Sequence, residues 1–198
     1  MIKESRMKAI KKSLKNYPRF EFLGKGKRGE VYRISESLAV KIEKDDIQAK
    51  NTAKNEHEIL KKLQPSKYFP KTLLFNEKLR FLIREYVKGN PISKTKDKRA
   101  FLGALNLARE LDLKGINQQE MNNPYKHIFI LKNKPKMIDF EKARISKKPK
   151  NVTQFCQYFC KKYKISPKKI MKASIAYKKT YSEKDFKALI KILKELTQ

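Results

Sequence analysis

Short alternating stretches and longer stretches with apolar residues three or four apart follow one another along the chain, and each change of period marks an element. Residues 2–16 carry Ile2, Ala9, Ile10 and Leu14 among charged neighbours, which predicts a basic, weakly amphipathic helix ending before Pro18. Alternating runs over 20–23, 31–34 and 38–42 follow, separated by Gly24-Lys25-Gly26-Lys27-Arg28-Gly29 and by Ser35-Glu36-Ser37, a pattern that predicts a β-meander. Residues 45–63 predict a long helix with an acidic start, Ile59, Leu60 and Leu63 on one face, and Pro65 as its stop. Two further strands are expected over 72–75 and 80–87, before the break Gly89-Asn90-Pro91.

That break reads as a boundary between lobes. Beyond it, Phe101, Leu102, Leu105, Ala108 and Leu111 form a core-facing helical stripe over 98–113. A polar loop over 115–126 leads to a hairpin of strands 128–131 and 137–138. Three helices complete the chain: 152–163 after Asn151, 167–177 with Ser166 as N-cap and proline at its first position, and 183–196, opened by Ser182 in a capping box with Asp185.

Composition narrows the class. The 198 residues hold 50 Lys+Arg against 20 Asp+Glu, a formal +30, yet 39% are hydrophobic, which excludes a disordered polycation and supports one domain. Residues 142–198 carry 17 of the cations and 3 of the carboxylates, so this third is the candidate surface for RNA. A solvated Lys-rich surface is the other reading of the charge. Cys156 and Cys160, four apart on one helix, do not suggest a disulfide framework, and His57 and His127 have no zinc spacing with them. The charged N-terminus lacks a signal-peptide core, and the longest apolar runs are too short to span a bilayer; a cytoplasmic protein with no membrane partner is expected.

The segment Leu23-Gly24-Lys25-Gly26-Lys27-Arg28-Gly29-Glu30-Val31 has the form GxGxxGxV between two expected strands. A glycine trio by itself is equally a tight turn. Twelve residues after Gly29, however, Lys41 stands on the expected third strand, in Leu38-Ala39-Val40-Lys41, where a lysine can hold nucleotide phosphates. On the next helix Glu56 and Glu58 lie about 200° apart, so both cannot face the strand. Glu56, three before Ile59 and four before Leu60, flanks the apolar side and is the expected partner of Lys41.

These residues, in this order, resemble the protein-kinase-like superfamily. Phe81-Leu82-Ile83-Arg84-Glu85-Tyr86-Val87-Lys88-Gly89 looks like its fifth strand and hinge, which implies that backbone groups near Glu85 and Val87 hold an adenine, with Arg84 at the usually apolar gatekeeper position. Met137-Ile138-Asp139-Phe140-Glu141 resembles the metal-binding DFG segment, with Glu141 where most protein kinases have glycine. The resemblance implies that Asp139 ligates Mg²⁺ bridging the phosphates of ATP, and that Gly24, Gly26, Gly29 and Val31 belong to the nucleotide site.

The catalytic loop departs from the pattern, because no His-Arg-Asp precedes the hairpin. Counting forward from Gly115-Ile116 places the base on Glu120; counting back from Asp139 places the second metal ligand, normally Asn, near His127 and the base on Asn122. A two-residue expansion reconciles the counts with Glu120 as base and His127 in the Asn slot, where an imidazole would favour Mn²⁺ or only hydrogen-bond. A degenerate loop that binds nucleotide without transferring phosphate is the alternative.

No Ala-Pro-Glu motif follows Glu141, and only 57 residues do. The chain thus resembles minimal archaeal-type kinases, similar in size to the RIO kinases and the kinase subunit of the KEOPS complex. Lys126-His127-Ile128, Ile138-Asp139-Phe140-Glu141-Lys142-Ala143 and Lys148-Pro149-Lys150-Asn151-Val152-Thr153-Gln154 are similar to short archaeal proteins described as predicted serine/threonine kinases. The resemblance implies a single α+β domain with a bilobal protein-kinase-like fold: a basic helix over 1–16, an antiparallel five-stranded N-lobe over 17–88 and a short helical C-lobe over 89–198. It implies an atypical serine/threonine protein kinase using ATP, with Lys41, Glu120 and Asp139 catalytic and a protein or small-molecule acceptor. The alternative is an ATP-binding pseudokinase or an RNA-binding regulatory subunit of a translation or RNA-processing complex. In that case Tyr158, Tyr163, Tyr177 and Tyr181 are either stacking platforms or core residues.

Overall fold

The computed structural model describes residues 1–46 and 50–196. It divides into two compact units, Met1–Val87 with Asp139–Lys142, and Lys88–Ile138 with Ala143–Gln198. The short segment carrying Asp139 therefore packs with the N-terminal elements, although it follows the hairpin of the second unit in sequence.

The first unit is an antiparallel sheet in the order β1-β2-β3-β5-β4, built from β1 (Glu21–Lys25), β2 (Gly29–Arg33), β3 (Leu38–Glu43), β4 (Thr72–Asn76) and β5 (Phe81–Glu85). Side chains alternate across its pleat. Val40 and Ile42 of β3, with Phe81 and Ile83 of β5, join Ile10 of helix α1 (Glu4–Ser13) and its C-cap residue Leu14 in one apolar cluster. Ala39, Lys41, Leu82 and Arg84 alternate with them, in the register Ala39↔Arg84 and Lys41↔Leu82. Helix α2 (Thr52–Leu63) buries Glu56, Ile59, Leu60 and Leu63.

Helix α2 starts later than its acidic lead-in suggests. Asp45 instead accepts from the Lys3 backbone at 2.7 Å and pairs with Arg6 and Arg80, tying α1 to the sheet; the rest of the expected first turn, residues 47–49, lies outside the described residues. The cap comes from the end of β3, where the buried Glu43 carboxylate accepts from the Ala53 N–H at 3.3 Å. At the other end of the register Gly29 is required by packing: a Cβ there would lie 2.9 Å from the Ile42 carbonyl oxygen.

In the second unit, helix α3 (Lys98–Leu113) buries Phe101, Leu105, Leu107, Ala108 and Leu111, wide enough coverage to mark a central helix. Around it lie a sheet of β6 (Asn90–Pro91), β8 (Ile128–Leu131) and β9 (Lys134–Met137), the pair β7 (Ile116–Asn117) and β10 (Arg144–Ile145), and helices α4 (Asn151–Tyr163), α5 (Lys168–Thr180) and α6 (Glu183–Glu195). The expected polar loop over 115–126 therefore begins as a strand. The β8–β9 hairpin is also tighter than expected, turning on Lys132 and Asn133, both left-handed. Ser166 does not cap α5; Pro167 holds the N-cap position without a side-chain bond. Ser182 does cap α6, accepting from the Asp185 N–H at 3.1 Å, but its own N–H goes to Thr180 rather than to Asp185.

Most of the C-terminal aromatics are core, with Tyr163 and Tyr181 half-buried. Phe101, Phe155, Tyr158, Phe159 and Tyr163 form one ring cluster, and Tyr177 is fully buried with its hydroxyl donating to Asp112 at 3.1 Å. Among these tyrosines, Tyr181 donates to the Pro149 carbonyl at 2.7 Å. Cys156 and Cys160 are free and buried on one face of α4, and burial pushes the Cys156 thiol up to about 12.

Candidate active site

Lys41, at the middle of β3, points to the α2 side of the sheet because its neighbours Val40 and Ile42 occupy the α1 side. Its ammonium donates to Glu56 Oε2 at 2.8 Å, Asp139 Oδ1 at 2.8 Å and Glu141 Oε2 at 2.9 Å. Burial by itself lowers the Lys41 pKa, but the charges of Glu56, Asp139 and Glu141 outweigh it and the net direction is up, so the amine stays protonated. Glu56 is completely buried whereas Glu58 is exposed, which settles which carboxylate faces the strand. Arg84 is the second cation beside Glu56, its Nε 3.4 Å from Oε1, an ion-pair distance without hydrogen-bond alignment.

The segment 139–142 is held to this cluster by its backbone. Asn55 of α2 donates from Nδ2 to the carbonyls of Phe140 at 3.2 Å and Glu141 at 3.0 Å, and the Phe140 ring packs edge-on against Phe69. Asp139 itself is left-handed, with φ of 71°, a conformation that carries strain for a residue with a Cβ and that clusters at functional sites. Arg28, in the turn between β1 and β2, donates from Nη1 to Glu141 Oε1 at 3.2 Å.

The expected nucleotide-binding backbone is partly engaged already. The Gly26 N–H donates to the Gly29 carbonyl at 2.8 Å and closes the β1–β2 turn, while neither Gly24 nor Gly26 meets a close neighbour that a Cβ would strike. Val31 pairs with Lys41 across β2 and β3. At the expected hinge the Glu85 N–H donates to the Lys71 carbonyl at 2.8 Å and the Tyr86 N–H to the Ser37 carbonyl at 2.7 Å; the Glu85 carbonyl accepts from Arg84 Nη1 at 3.0 Å, and Val87 is buried.

The second unit brings the two loop candidates together: His127 Nε2 lies 2.8 Å from Glu120 Oε2. An ionised carboxylate only accepts, so Nε2 carries the proton in this pair. A metal-ligand role for Nε2 of His127 therefore requires that bond to open. Asn122 is exposed. The loop is anchored by Asn151, whose Oδ1 accepts from the Gln118 N–H at 2.8 Å and whose Nδ2 donates to the Ile116 carbonyl and to Asp112 Oδ1, each at 2.7 Å. Burial raises the Asp112 pKa, against the pull of hydrogen bonds from Asn151, Val152 and Tyr177. His57 is partly buried, stacks on Phe75 and bonds Thr72 Oγ1 at 2.7 Å through Nδ1.

Among the described residues no three His, Cys, Asp or Glu side chains converge as a preformed metal cage. Mg²⁺ is usually held by one or two carboxylates plus phosphate oxygens and water, so the hard oxygen donors of Asp139 fit that ion without a cage. Sequence reasoning missed Arg28, Asn55 and Asn151 as parts of these clusters. Asn55 stands next to Glu56 and Arg28 lies inside the glycine turn, but their partners are 85 to 113 residues away.

A five-stranded sheet with a buried Lys41–Glu56 pair, followed by a largely helical second unit, defines a protein-kinase-like fold, and comparison with solved structures agrees. The chain is similar to a structure described as the streptomycin-ATP-APH(2")-IIa ternary complex, an aminoglycoside phosphotransferase, with a TM-score of 0.57 and 15% identity over 100% of this chain and 97% of that one. No protein-family profile matches the sequence, and no curated protein does. The comparison shows the fold alone, and the narrower likeness to short archaeal kinases has no support from a sequence family.

Proposed function

We propose that the protein is an ATP-dependent phosphotransferase acting on a hydroxyl acceptor, and that the acceptor is a serine or threonine side chain. The observation that carries this reading is the buried Lys41–Glu56 pair with Asp139 at 2.8 Å from the same ammonium. Buried ion pairs of this kind are costly to assemble and mark functional sites. A solved structure of similar fold is an ATP complex, which supports the same cofactor here. Asp139 would hold Mg²⁺, which neutralises phosphate charge as transfer proceeds. Lys41, kept charged, orients the phosphates. Glu120 accepts the hydroxyl proton, with His127 as the positioning residue that holds its carboxylate.

The test is radiolabel transfer from ATP to a mixed serine/threonine peptide pool, with hydroxylated small molecules as a separate arm. Asp139→Asn should abolish transfer and Glu120→Gln should lower it by about 10²-fold or more. Unchanged turnover in both variants contradicts the mechanism; transfer confined to the small-molecule arm moves the acceptor class.

One observation favours a second reading. From Lys142 to Ser182 there is no carboxylate, and the exposed lysines of α5 face solvent beside the exposed Met171 and Ile175. This surface suits RNA through its phosphates rather than through base stacking, since Tyr158 and Tyr177 are buried and Tyr163 and Tyr181 are half-buried in ring and hydrogen-bond contacts. RNA affinity that falls steeply with salt and ignores ATP would support it over transfer.

A further inference from the structure

The three N–H bonds of the Lys41 ammonium go to three carboxylates, so phosphate can reach this lysine only by replacing one of them. Glu56 is the anchored one: it has no exposed surface and Arg84 lies against its other oxygen. Glu141 is placed differently. One of its oxygens is on Lys41 at 2.9 Å and the other is on Arg28 at 3.2 Å, so its carboxylate spans a cation of β3 and a cation of the glycine turn. The turn is itself fixed, because the Arg28 carbonyl accepts from the Lys44 N–H at 2.9 Å. The backbone of Glu141 is held by Asn55, so its side chain can swing away while the main chain stays.

A carboxylate bridging an arginine and a lysine is chemically a substitute for a phosphate in the same place, with fewer oxygens and less charge. We propose that Arg28 and Lys41 form a two-point polyphosphate subsite, and that Glu141 fills it as an internal anion which the bound polyphosphate displaces. This rests on the nucleotide-binding reading above. It adds Arg28 as a phosphate ligand and gives Glu141, at the position where most kinases have glycine, a specific effect. The site is competent only in the fraction of molecules in which Glu141 has left, and apparent affinity is reduced by that fraction.

The experiment is calorimetric titration of Mg·ATP, and separately of tripolyphosphate, into wild type, Glu141→Gln, Arg28→Ala and the double variant, at salt high enough to screen the +30 surface. Glu58→Gln, exposed and away from the cluster, controls for the unit change in charge. Glu141→Gln is isosteric and its folding is checked by thermal melting. The expected result is binding about tenfold tighter in Glu141→Gln for both ligands, no change in Glu58→Gln, and about tenfold weaker binding when Arg28→Ala is added to Glu141→Gln. Equal affinity in wild type and Glu141→Gln, or an equal gain in Glu58→Gln, overturns the internal anion while leaving nucleotide binding intact. If Arg28→Ala tightens binding, or leaves it unchanged in the Glu141→Gln background, Arg28 only pins Glu141 and is not a ligand. No binding of either ligand to any variant overturns the nucleotide reading and this subsite together.

Discussion

Lys41 owes its position to strand parity and its charge to its neighbours. Two apolar residues on either side turn it to one face of the sheet, and the register of β3 against β2 and β5 leaves no freedom to slip without exposing Val40 and Ile42. Glu56 meets it from a buried helix position, so removing Glu56 leaves Lys41 and Arg84 as buried cations short of a counter-charge. Glu56→Ala should therefore lose about 3–5 kcal/mol in urea denaturation; a loss within the few tenths typical of a surface change would contradict the buried pairing. This pair was legible in the sequence, because both residues sit in periodic elements whose faces can be counted. Arg28 and Glu141 were not legible as partners: each lies in an irregular segment, where no period reports direction, and 113 residues separate them. His127 and Glu120 were both singled out, yet their hydrogen bond was not foreseen, since an irregular loop between them fixes no distance.

The elements that place these residues are tied by a small number of polar contacts at their ends. Helix α1 is held to the sheet by Asp45, which takes the Lys3 N–H and pairs with Arg6 and Arg80. Burial alone raises the Asp45 pKa, but the Lys3 hydrogen bond and the charges of Arg6 and Arg80 bring it below its ordinary value. The folded-state pKa is thus depressed, so its contribution is present above the unfolded value and lost as pH falls through the folded one. Asp45→Asn should destabilise the protein at neutral pH and flatten the acid limb of the stability curve below about pH 4. Parallel curves for variant and wild type would contradict the role of this carboxylate. The sequence marked Asp45 as a helix start, because an acidic residue before an apolar periodic stretch fits that position equally well; the tertiary ion pairs that decided otherwise come from residues 6 and 80. In the second unit, Asn151 and Asp112 perform the corresponding function for the loop carrying Glu120, through residues 33 and 39 positions apart that no local pattern links.

At the scale of the whole molecule, a protein-kinase-like fold is assembled from a strongly basic chain in which carboxylates are few and unevenly distributed. Three of the 20 Asp+Glu residues converge on Lys41 alone, while 142–182 has none. The order of strands and helices was readable from their periods, which are properties of contiguous sequence, and the fold class from the resemblance carried by Gly24, Gly26, Gly29, Lys41, Glu56 and Asp139. The acceptor was not, because it depends on surfaces that no period encodes. The central claim, a nucleotide site built on Lys41, Glu56 and Asp139, is tested most directly by calorimetric titration of Mg·ATP into wild type and Asp139→Asn at screening salt. Saturable one-to-one binding in wild type, lost or weakened by at least about tenfold in the variant, is the predicted result. No heat above background in wild type, or equal binding in both proteins, would contradict it.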